Sequence, residues 1–266
     1  MSPAPVVPRP AATVLLLRDH PHPVPGRSPL QVFLQRRVTG MAFAAGMTVF
    51  PGGGVDAGDR PDPDHWAGPG PGWWAGRLGV DPDLAGAFVQ AAVRETFEEC
   101  GVLLAGPGVP PDVRRHRADV VARRRTFTDV LAANGLVLRA DLLHAWARWI
   151  TPVGSPRRYD TAFFVARVPA GQEADAHTTE AVDAQWWNPD EALERWQEDE
   201  MQLMAPTART LQEIAGFAES SAVLAAAGHR VIRPITPTVR CEGGRLVSVL
   251  PDDTTIPADG FQGRPA

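Results

Sequence analysis

The sequence predicts an α/β protein, either one enlarged domain or one domain with appendages. Apolar segments at residues 12–17, 30–35 and 161–168 have the length and composition of strands, whereas apolar residues recur at helical spacing between Leu84 and Val102. A chain of 266 residues, 44% of them hydrophobic and 21% charged, is long enough for a large core and unlike a disordered chain. These observations together favour a globular protein with both strands and helices.

The first half of the chain is predicted to contain strands at 12–17, 30–35 and 47–50, an irregular excursion at 60–79, and a helix from about Asp83 to Gly101. The third strand runs directly into a run of three glycines. The excursion is rich in Pro, Gly, Asp and Trp and has neither helical nor strand periodicity. Gly101 is typical of the residue that ends a helix.

The second half is predicted to contain two or three helices within 111–149, strands at 161–168 and 182–187, helices at 189–197 and 203–218, and an edge strand at 245–250. These elements divide the chain into a flexible lead at 1–11, a main domain at 12–218 with insertions at 60–86 and 111–149, and a C-terminal extension at 219–266.

The composition excludes several classes of function. The net charge of −5 and the absence of long basic runs argue against binding nucleic acid through a broad positive face. All 26 basic residues are arginine, which excludes lysine nucleophiles and Schiff bases. Two widely separated cysteines indicate neither a zinc cluster nor a disulfide framework. With no long apolar run and no secretory pattern at the start, we expect no membrane partner and a cytoplasmic location.

Three carboxylates lie close together on the helix predicted to end at Gly101. Glu95, Glu98 and Glu99 are spaced i, i+3 and i+4, so their side chains project from one helix face. Their mutual repulsion is relieved by a cation, and Mg²⁺ or Mn²⁺ prefers oxygen ligands of this kind. The alternative is a solvated acidic face with no ligand.

The residues around these carboxylates resemble the signature of the Nudix hydrolases, G-x5-E-x7-R-E-U-x-E-E-x-G-U, in which U is aliphatic. The second half of the motif matches from Arg94 to Val102, with Thr96 in an aliphatic place. The first half corresponds to residues 51–59, with Asp56 and Asp59 where glutamates are usual. Between the halves lie 34 residues instead of seven, a 27-residue excursion that loop-closure entropy tolerates.

Such a long insertion inside the motif is similar to the branch of peroxisomal Nudix coenzyme A diphosphatases. The segments Trp-Ile-Thr-Pro at 149–152 and Arg-Arg-Tyr-Asp-Thr-Ala-Phe-Phe at 157–164 also look like that branch. The resemblance implies a Nudix-type α/β/α sandwich with a mixed sheet, a helical insertion and a C-terminal extension. It also implies hydrolysis of a small nucleoside diphosphate derivative, with coenzyme A or its acyl esters favoured, and leaves a homodimer open.

The resemblance also assigns roles to individual residues. It implies Glu95 and Glu99 as ligands of Mg²⁺ or Mn²⁺, with Glu98 either a third ligand or the acceptor of a hydrogen bond from Arg94. Arg94 is then a residue that orients the site. Glu180, on the loop before the last core strand, completes the catalytic set, with Asp183 or Glu173 as alternatives.

Three further positions are implied for binding the ligand. Arg36 and Gly46 fall at coenzyme A motif positions, although Ala42 stands where that motif has an arginine. Gly53 allows the backbone to approach the ligand closely.

Several alternatives remain open at this stage. The substrate is coenzyme A, or else ADP-ribose, NADH or a related compound, and a catalytically silent ligand-binding domain is the competing class. Asp59 either holds the glycine run or is purely structural. Trp66, Trp73 and Trp74 either contact a ligand or anchor the excursion to the core. Cys100 is expected to be a packing residue.

Overall fold

The computed structural model describes residues 6–40, 44–176 and 181–261. The strands are β1 (Arg9–Asp19), β2 (Leu30–Arg37), β3 (Thr48–Val49), β4 (Gly52–Gly54), β5 (Trp66–Ala67), β6 (Ala105–Gly106), β7 (Val137–Arg139), β8 (His144–Ile150), β9 (Tyr159–Arg167), β10 (Ala181–Trp187), β11 (Pro234–Ile235), β12 (Thr238–Glu242), β13 (Arg245–Val249) and β14 (Thr255–Pro257). The helices are α1 (Pro71–Leu78), α2 (Pro82–Cys100), α3 (Arg117–Val121), α4 (Phe127–Ala133), α5 (Pro189–Gln197), α6 (Ala205–Ala215) and α7 (Ser220–His229), with single 3₁₀ segments at Pro63–His65, Pro111–His116 and Ala140–Leu142.

The main sheet has the strand order β10-β2-β1-β9-β8-β11, with β3 paired to β2 and β4 paired to β1. Strand β1 runs parallel to β9, and β11 runs parallel to β8. The other pairs in this sheet are antiparallel, so the sheet is mixed, as predicted.

Helices cover both faces of this sheet. Val14 and Leu16 of β1 lie in one hydrophobic cluster with Phe88 and Phe97 of α2. Their neighbours Leu15 and Leu17 lie in a second cluster, with Leu211 of α6 and other residues of α5 to α7. Because alternate side chains of a strand point to opposite faces, the two clusters are the two sides of an α/β/α sandwich.

Helix α2 is the longest helix among the described residues and carries the predicted carboxylates. The Asp81 side chain caps its N-terminus by accepting a hydrogen bond from the backbone N–H of Leu84. Pro82 occupies the first turn, and Gly101 ends the helix with a φ of 67°, which favours glycine. The helix predicted from sequence is therefore confirmed.

Four of the predicted elements need correction. Strand β1 begins at Arg9, within the lead predicted to be flexible, because its first residues pair with β9. The excursion contains helix α1. The region 111–149 is helical only in its first part, because it ends in strands β7 and β8. Strand β13 is central in the sheet β12-β13-β14, where an edge strand was predicted.

The two predicted insertions are joined to each other and to the core. Strand β5 of the first insertion pairs with β7 of the second, in a small sheet completed by β6. Trp74 of α1 is fully buried and lies edge-on to Phe164 of β9, with the ring centroids 5.5 Å apart. Trp74 therefore anchors the excursion to the core, which is one of the two alternatives predicted from the sequence.

The region predicted as a C-terminal extension also packs against the core. Leu250 and Ile256 are buried in the same cluster as Trp149 and Leu203. The division of the chain at residue 218 stays a prediction. Among the helices that the structure describes, none combines the length and the apolar character that crossing a bilayer requires.

Candidate active site

Arg94 lies at the centre of the predicted site. Its guanidinium donates two hydrogen bonds to Asp59, from Nε to Oδ1 and from Nη2 to Oδ2, each 2.8 Å long. Nη1 donates to Glu95 Oε1 at 2.7 Å and to Glu98 Oε1 at 3.1 Å. Nη2 also donates to the carbonyl of Gly54 at 2.9 Å. One arginine thus connects the glycine strand, its following loop and the carboxylate helix.

The pair Arg94–Asp59 joins the two halves of the interrupted motif. Both residues are almost fully buried, and 34 residues separate them in sequence. Burial alone would lower the pKa of Arg94, but the hydrogen bonds and negative charges of Asp59, Glu95 and Glu98 outweigh it and raise the pKa above its ordinary value. The arginine therefore stays charged and orients the acidic groups around it.

Glu99 is held by a different set of residues from those around Arg94. Its Oε2 accepts hydrogen bonds from Gln35 Nε2 at 2.5 Å and from the backbone N–H of Gly52 at 2.6 Å. Gln35 Oε1 is buried with no hydrogen-bond partner among the described residues. The glutamate therefore ties α2 to β2 and to the start of β4.

Gly53 and Glu95 are in close contact. A Cβ atom at position 53 would lie 2.6 Å from the carboxyl carbon of Glu95 and 2.8 Å from its Oε2. A side chain at position 53 would therefore require the Glu95 carboxylate to move. Burial raises the pKa of the neighbouring Glu98, against the opposing charge of Arg94.

The donors at this site suit a hard divalent cation in chemistry but are not gathered into a coordination shell. Over residues 6–40, 44–176 and 181–261, no three acidic, histidine or cysteine side chains are already arranged to hold a metal ion. Instead Arg94 engages Glu95 and Glu98, while Gln35 engages Glu99. The three glutamates offer carboxylate oxygens, the ligand type that such a cation prefers.

A cavity of about 280 Å³ lies on the sheet beside the glycine strand. It is lined by Gly52–Gly54, by Phe50, Trp149, Ile150 and Phe163, by Arg37 and Arg157, and by residues that begin α6 or come from the C-terminal region. Gly53 both lines the cavity and touches Glu95. Gly53 is therefore shared between the contact with Glu95 and the cavity, whose apolar residues Phe50, Trp149 and Phe163 belong to the second hydrophobic cluster.

The predicted ligand-binding residues take different places. Gly46 has a φ of 75°, which favours glycine, and its N–H donates to the carbonyl of Arg37 in the turn between β2 and β3. Among the described residues, the cavity is lined by Arg37, and its exposed neighbour Arg36 lies outside the lining.

Glu180 lies outside the described residues, as does Ala42. Of its alternatives, Asp183 is exposed in β10 opposite Arg36 of β2, and Glu173 is exposed with its carbonyl bound by Arg114.

Thr96, which departs from the motif, and Cys100, which occupies a variable place in it, are both buried in α2. Thr96 is fully buried, and its hydroxyl donates to the Ala92 carbonyl at 2.7 Å, so the polar group is satisfied within the helix. Cys100 is also buried, and burial raises the pKa of its thiol far above the ordinary value. Cys100 thus packs in the core, as expected, and is unreactive.

Three features of the site escaped prediction. The bidentate partner of Arg94 is Asp59, whose role the sequence left open. Gln35, which immediately precedes the two arginines at the end of β2, belongs to no recognised sequence motif. The contribution of residues 258–261 to the cavity has no sequence signal either.

Comparisons with known proteins identify the class of protein. A crystal structure of a NUDIX hydrolase from Alicyclobacillus acidocaldarius superposes with a TM-score of 0.63 at 26% identity, covering 82% of this chain and 96% of that chain. The fold and the site define a Nudix hydrolase. A family model described as the NUDT19 Nudix domain matches residues 80–214, and the chain belongs to that family.

Curated relatives agree with this assignment. The acyl-coenzyme A diphosphatase NUDT19 of Homo sapiens is 29% identical over 299 aligned positions, which cover 92% of this chain and 79% of that protein. The protein of the same name from Gallus gallus is 27% identical, covering 94% of this chain and 80% of that protein. The predicted family and fold class are confirmed. Nudix hydrolases in general require a divalent metal ion.

Proposed function

We propose that this protein is a pyrophosphohydrolase of coenzyme A and acyl-coenzyme A esters, dependent on Mg²⁺ or Mn²⁺. One observation carries the proposal. Arg94 and Asp59 close the interrupted motif and hold the glutamates against the glycine strand, which also lines a largely apolar cavity. A substrate with a diphosphate near Gly53 and an apolar portion in the cavity fits this arrangement. The names of the curated relatives supply the substrate class.

In this proposal the chain's own residues have separate tasks. Glu95, Glu98 and Glu99 hold the cation, and Arg94 orients the first two through its Nη1. When bound, the cation supplies charge neutralisation on the diphosphate and activation of the attacking water. Glu180 is proposed as a further catalytic carboxylate.

The binding residues are proposed to position the diphosphate and limit access to it. Gly53 lets the substrate approach the carboxylates, because a side chain there would collide with Glu95. Arg37 and Arg157 line the cavity and are suited to phosphate oxygens. Arg36 and Gly46 are proposed to contribute through the β2–β3 turn. The products are a 4′-phosphopantetheine compound and adenosine 3′,5′-bisphosphate.

The experiment is a product-resolved screen of the purified protein. Coenzyme A, an acyl-coenzyme A, ADP-ribose and NADH are each incubated with Mg²⁺ or Mn²⁺, and the products are separated by chromatography. The expected result is hydrolysis of the coenzyme A compounds to the two products above, and no hydrolysis without a divalent cation. ADP-ribose or NADH turning over much faster would overturn the substrate assignment.

A matched pair of variants tests whether the site does the chemistry. Glu98→Gln removes one charge from the cluster, whereas Glu198→Gln makes the same change at an exposed residue of the α5 C-terminus. We expect a loss of activity of about a hundredfold or more in the first variant alone. Tight binding of coenzyme A without any hydrolysis by the wild-type protein would instead identify a silent ligand-binding domain.

A further inference from the structure

The C-terminal region supplies one wall of the cavity. Residues 258–261 line it, together with Pro237 and Ser248 from the same region. The opposite contributions come from β1, β4, β8 and β9 of the main sheet. The cavity is therefore not complete without residues that follow the Nudix domain match, which ends at residue 214.

This wall is fixed in place by contacts with three parts of the structure. The Ala258 N–H donates to the Leu246 carbonyl at 3.0 Å, and the Phe261 N–H donates to the Ala258 carbonyl at 3.1 Å. Trp196 Nε1 of α5 donates to Asp259 Oδ2 at 3.4 Å. A Cβ atom on Gly260 would lie 3.2 Å from the Met47 sulfur, which shows how closely the turn approaches the β2–β3 connection. The wall is thus a packed part of the fold.

The charges around the cavity are unevenly distributed between its walls. The cations Arg37 and Arg157 belong to the main-sheet side, at the end of β2 and in the β8–β9 connection. The wall at 258–261 contains the acidic Asp259, whose Oδ2 accepts the hydrogen bond from Trp196, and the apolar Phe261, and none of its four residues is a cation. Phosphate groups are therefore attracted to the main-sheet side and repelled from this wall.

The size of the cavity indicates how much of a substrate it holds. A volume of about 280 Å³ lies at the lower limit for a pocket that encloses a drug-sized ligand. A molecule as large as coenzyme A therefore places only one portion inside it. The portion of the substrate that enters the cavity is expected to be the one without phosphate groups, because Asp259 does not repel an uncharged group.

We infer that residues 258–261 are the specificity-determining wall for the uncharged portion of the diphosphate substrate. Phe261 limits the length of the acyl chain that is accepted, and Asp259 disfavours acyl groups that end in a carboxylate. This inference rests on the proposed function, because it deepens the choice of substrate at the same site.

Asp259→Asn is the sharper test, because the amide oxygen of Asn still accepts the hydrogen bond from Trp196. Succinyl-coenzyme A and butyryl-coenzyme A differ in having or lacking a terminal carboxylate, at similar acyl length. The ratio of their kcat/KM values, succinyl over butyryl, is expected to rise roughly threefold to tenfold in this variant. Asp253→Asn is the matched control, since Asp253 is exposed and outside the cavity lining, and its ratio should stay at the wild-type value.

Phe261→Ala tests the length limit. The ratio of kcat/KM for octanoyl- over acetyl-coenzyme A is expected to rise by roughly threefold to tenfold, because removing the ring extends the apolar space. Val231→Ala, a truncation at a residue that is 78% exposed, is the control and should not move the ratio. Unchanged ratios in both cavity variants, with folded protein by circular dichroism, would overturn the inference.

Calorimetric binding without a divalent cation separates this inference from the proposed function. The affinities of succinyl- and butyryl-coenzyme A are measured for the wild type and for Asp259→Asn. If the wild type hydrolyses neither ester but Asp259→Asn still shifts the affinity ratio, the proposed function is wrong and the specificity role of residues 258–261 is supported. If hydrolysis occurs and neither ratio changes, the specificity role is wrong and the proposed function is supported. If the wild type binds neither ester, both are wrong.

Discussion

Replacing Asp59 by Asn is expected to destabilise the protein by about 2–4 kcal/mol. Asp59 is 3% exposed and Arg94 is 4% exposed, and two charge-assisted hydrogen bonds of 2.8 Å join them. Removing one partner of a buried ion pair costs about 3–5 kcal/mol, because the other charge loses its compensation. The expected cost is somewhat lower here, since Asn keeps one acceptor oxygen and Arg94 keeps Glu95 and Glu98.

Asp56→Asn is the matched control for this change. Asp56 is in the same loop, but its carboxylate is 3.6 Å from the Arg94 guanidinium and its side chain is 30% exposed. An ion pair with this geometry contributes at most about 1 kcal/mol. Urea unfolding of both variants, followed by tryptophan fluorescence, should therefore separate them clearly in midpoint at an unchanged slope. Turnover should also fall about tenfold in Asp59→Asn, because Arg94 without its bidentate partner holds Glu95 and Glu98 less precisely.

Two results would refute this reasoning. Equal unfolding midpoints for the Asp59 and Asp56 variants would show that the buried pair does not hold the two halves of the motif together. Full activity in a clearly destabilised Asp59→Asn protein would show that the pair stabilises the fold without positioning the carboxylates.

Three further predictions concern the site and the core. Glu99→Gln should lower turnover at least about a hundredfold at saturating Mg²⁺ in a protein that circular dichroism shows to be folded at the assay temperature; near-normal turnover would contradict its role as a ligand. A thiol reagent should modify Cys241 alone in the native protein and also Cys100 after unfolding, because Cys100 is buried and its pKa is raised. Burial lowers the pKa of His144 below its ordinary value of 6.5. The unfolded chain therefore binds a proton at this imidazole more readily than the folded protein does. The free energy of unfolding consequently decreases as the pH falls through 6.5. His144→Gln should weaken this dependence in urea titrations between pH 7.5 and 5.5, and an unaltered dependence would assign it to other groups.

Local sequence patterns predicted the elements whose secondary structure depends mainly on residues that are close in sequence. Helix α2 has regular apolar spacing and both capping residues, so its limits followed from the sequence. Strand β8 was taken for helix because residues 111–149 carry Arg and Ala with Val, Leu and Trp at helical intervals. Pairing with the following strand β9 and with β11, which lies far along the chain, makes it a strand, and these pairings leave no pattern within the segment itself.

The same distinction applies to the site. The spacing of Glu95, Glu98 and Glu99 placed them on α2 correctly, because helical geometry alone determines it. The hydrogen bonds that Glu99 accepts come from Gln35 and Gly52, which the fold brings from β2 and β4. Sequence reasoning could not find these contacts without knowing how the strands are ordered.

The structure also explains why the motif tolerates so long an interruption. The excursion leaves after Asp59 and returns at α2, and its own helix α1 packs Trp74 into the core beneath the sheet. A Cβ atom at Gly86 would collide with Pro61, so the excursion also packs closely against the first half of α2. The site face of α2 is instead positioned through Arg94 and Asp59, which flank the excursion on either side. Because the ion pair fixes both ends, the chain between them is free to vary in length without moving the carboxylates, and the resulting extra residues are stabilised by their own packing.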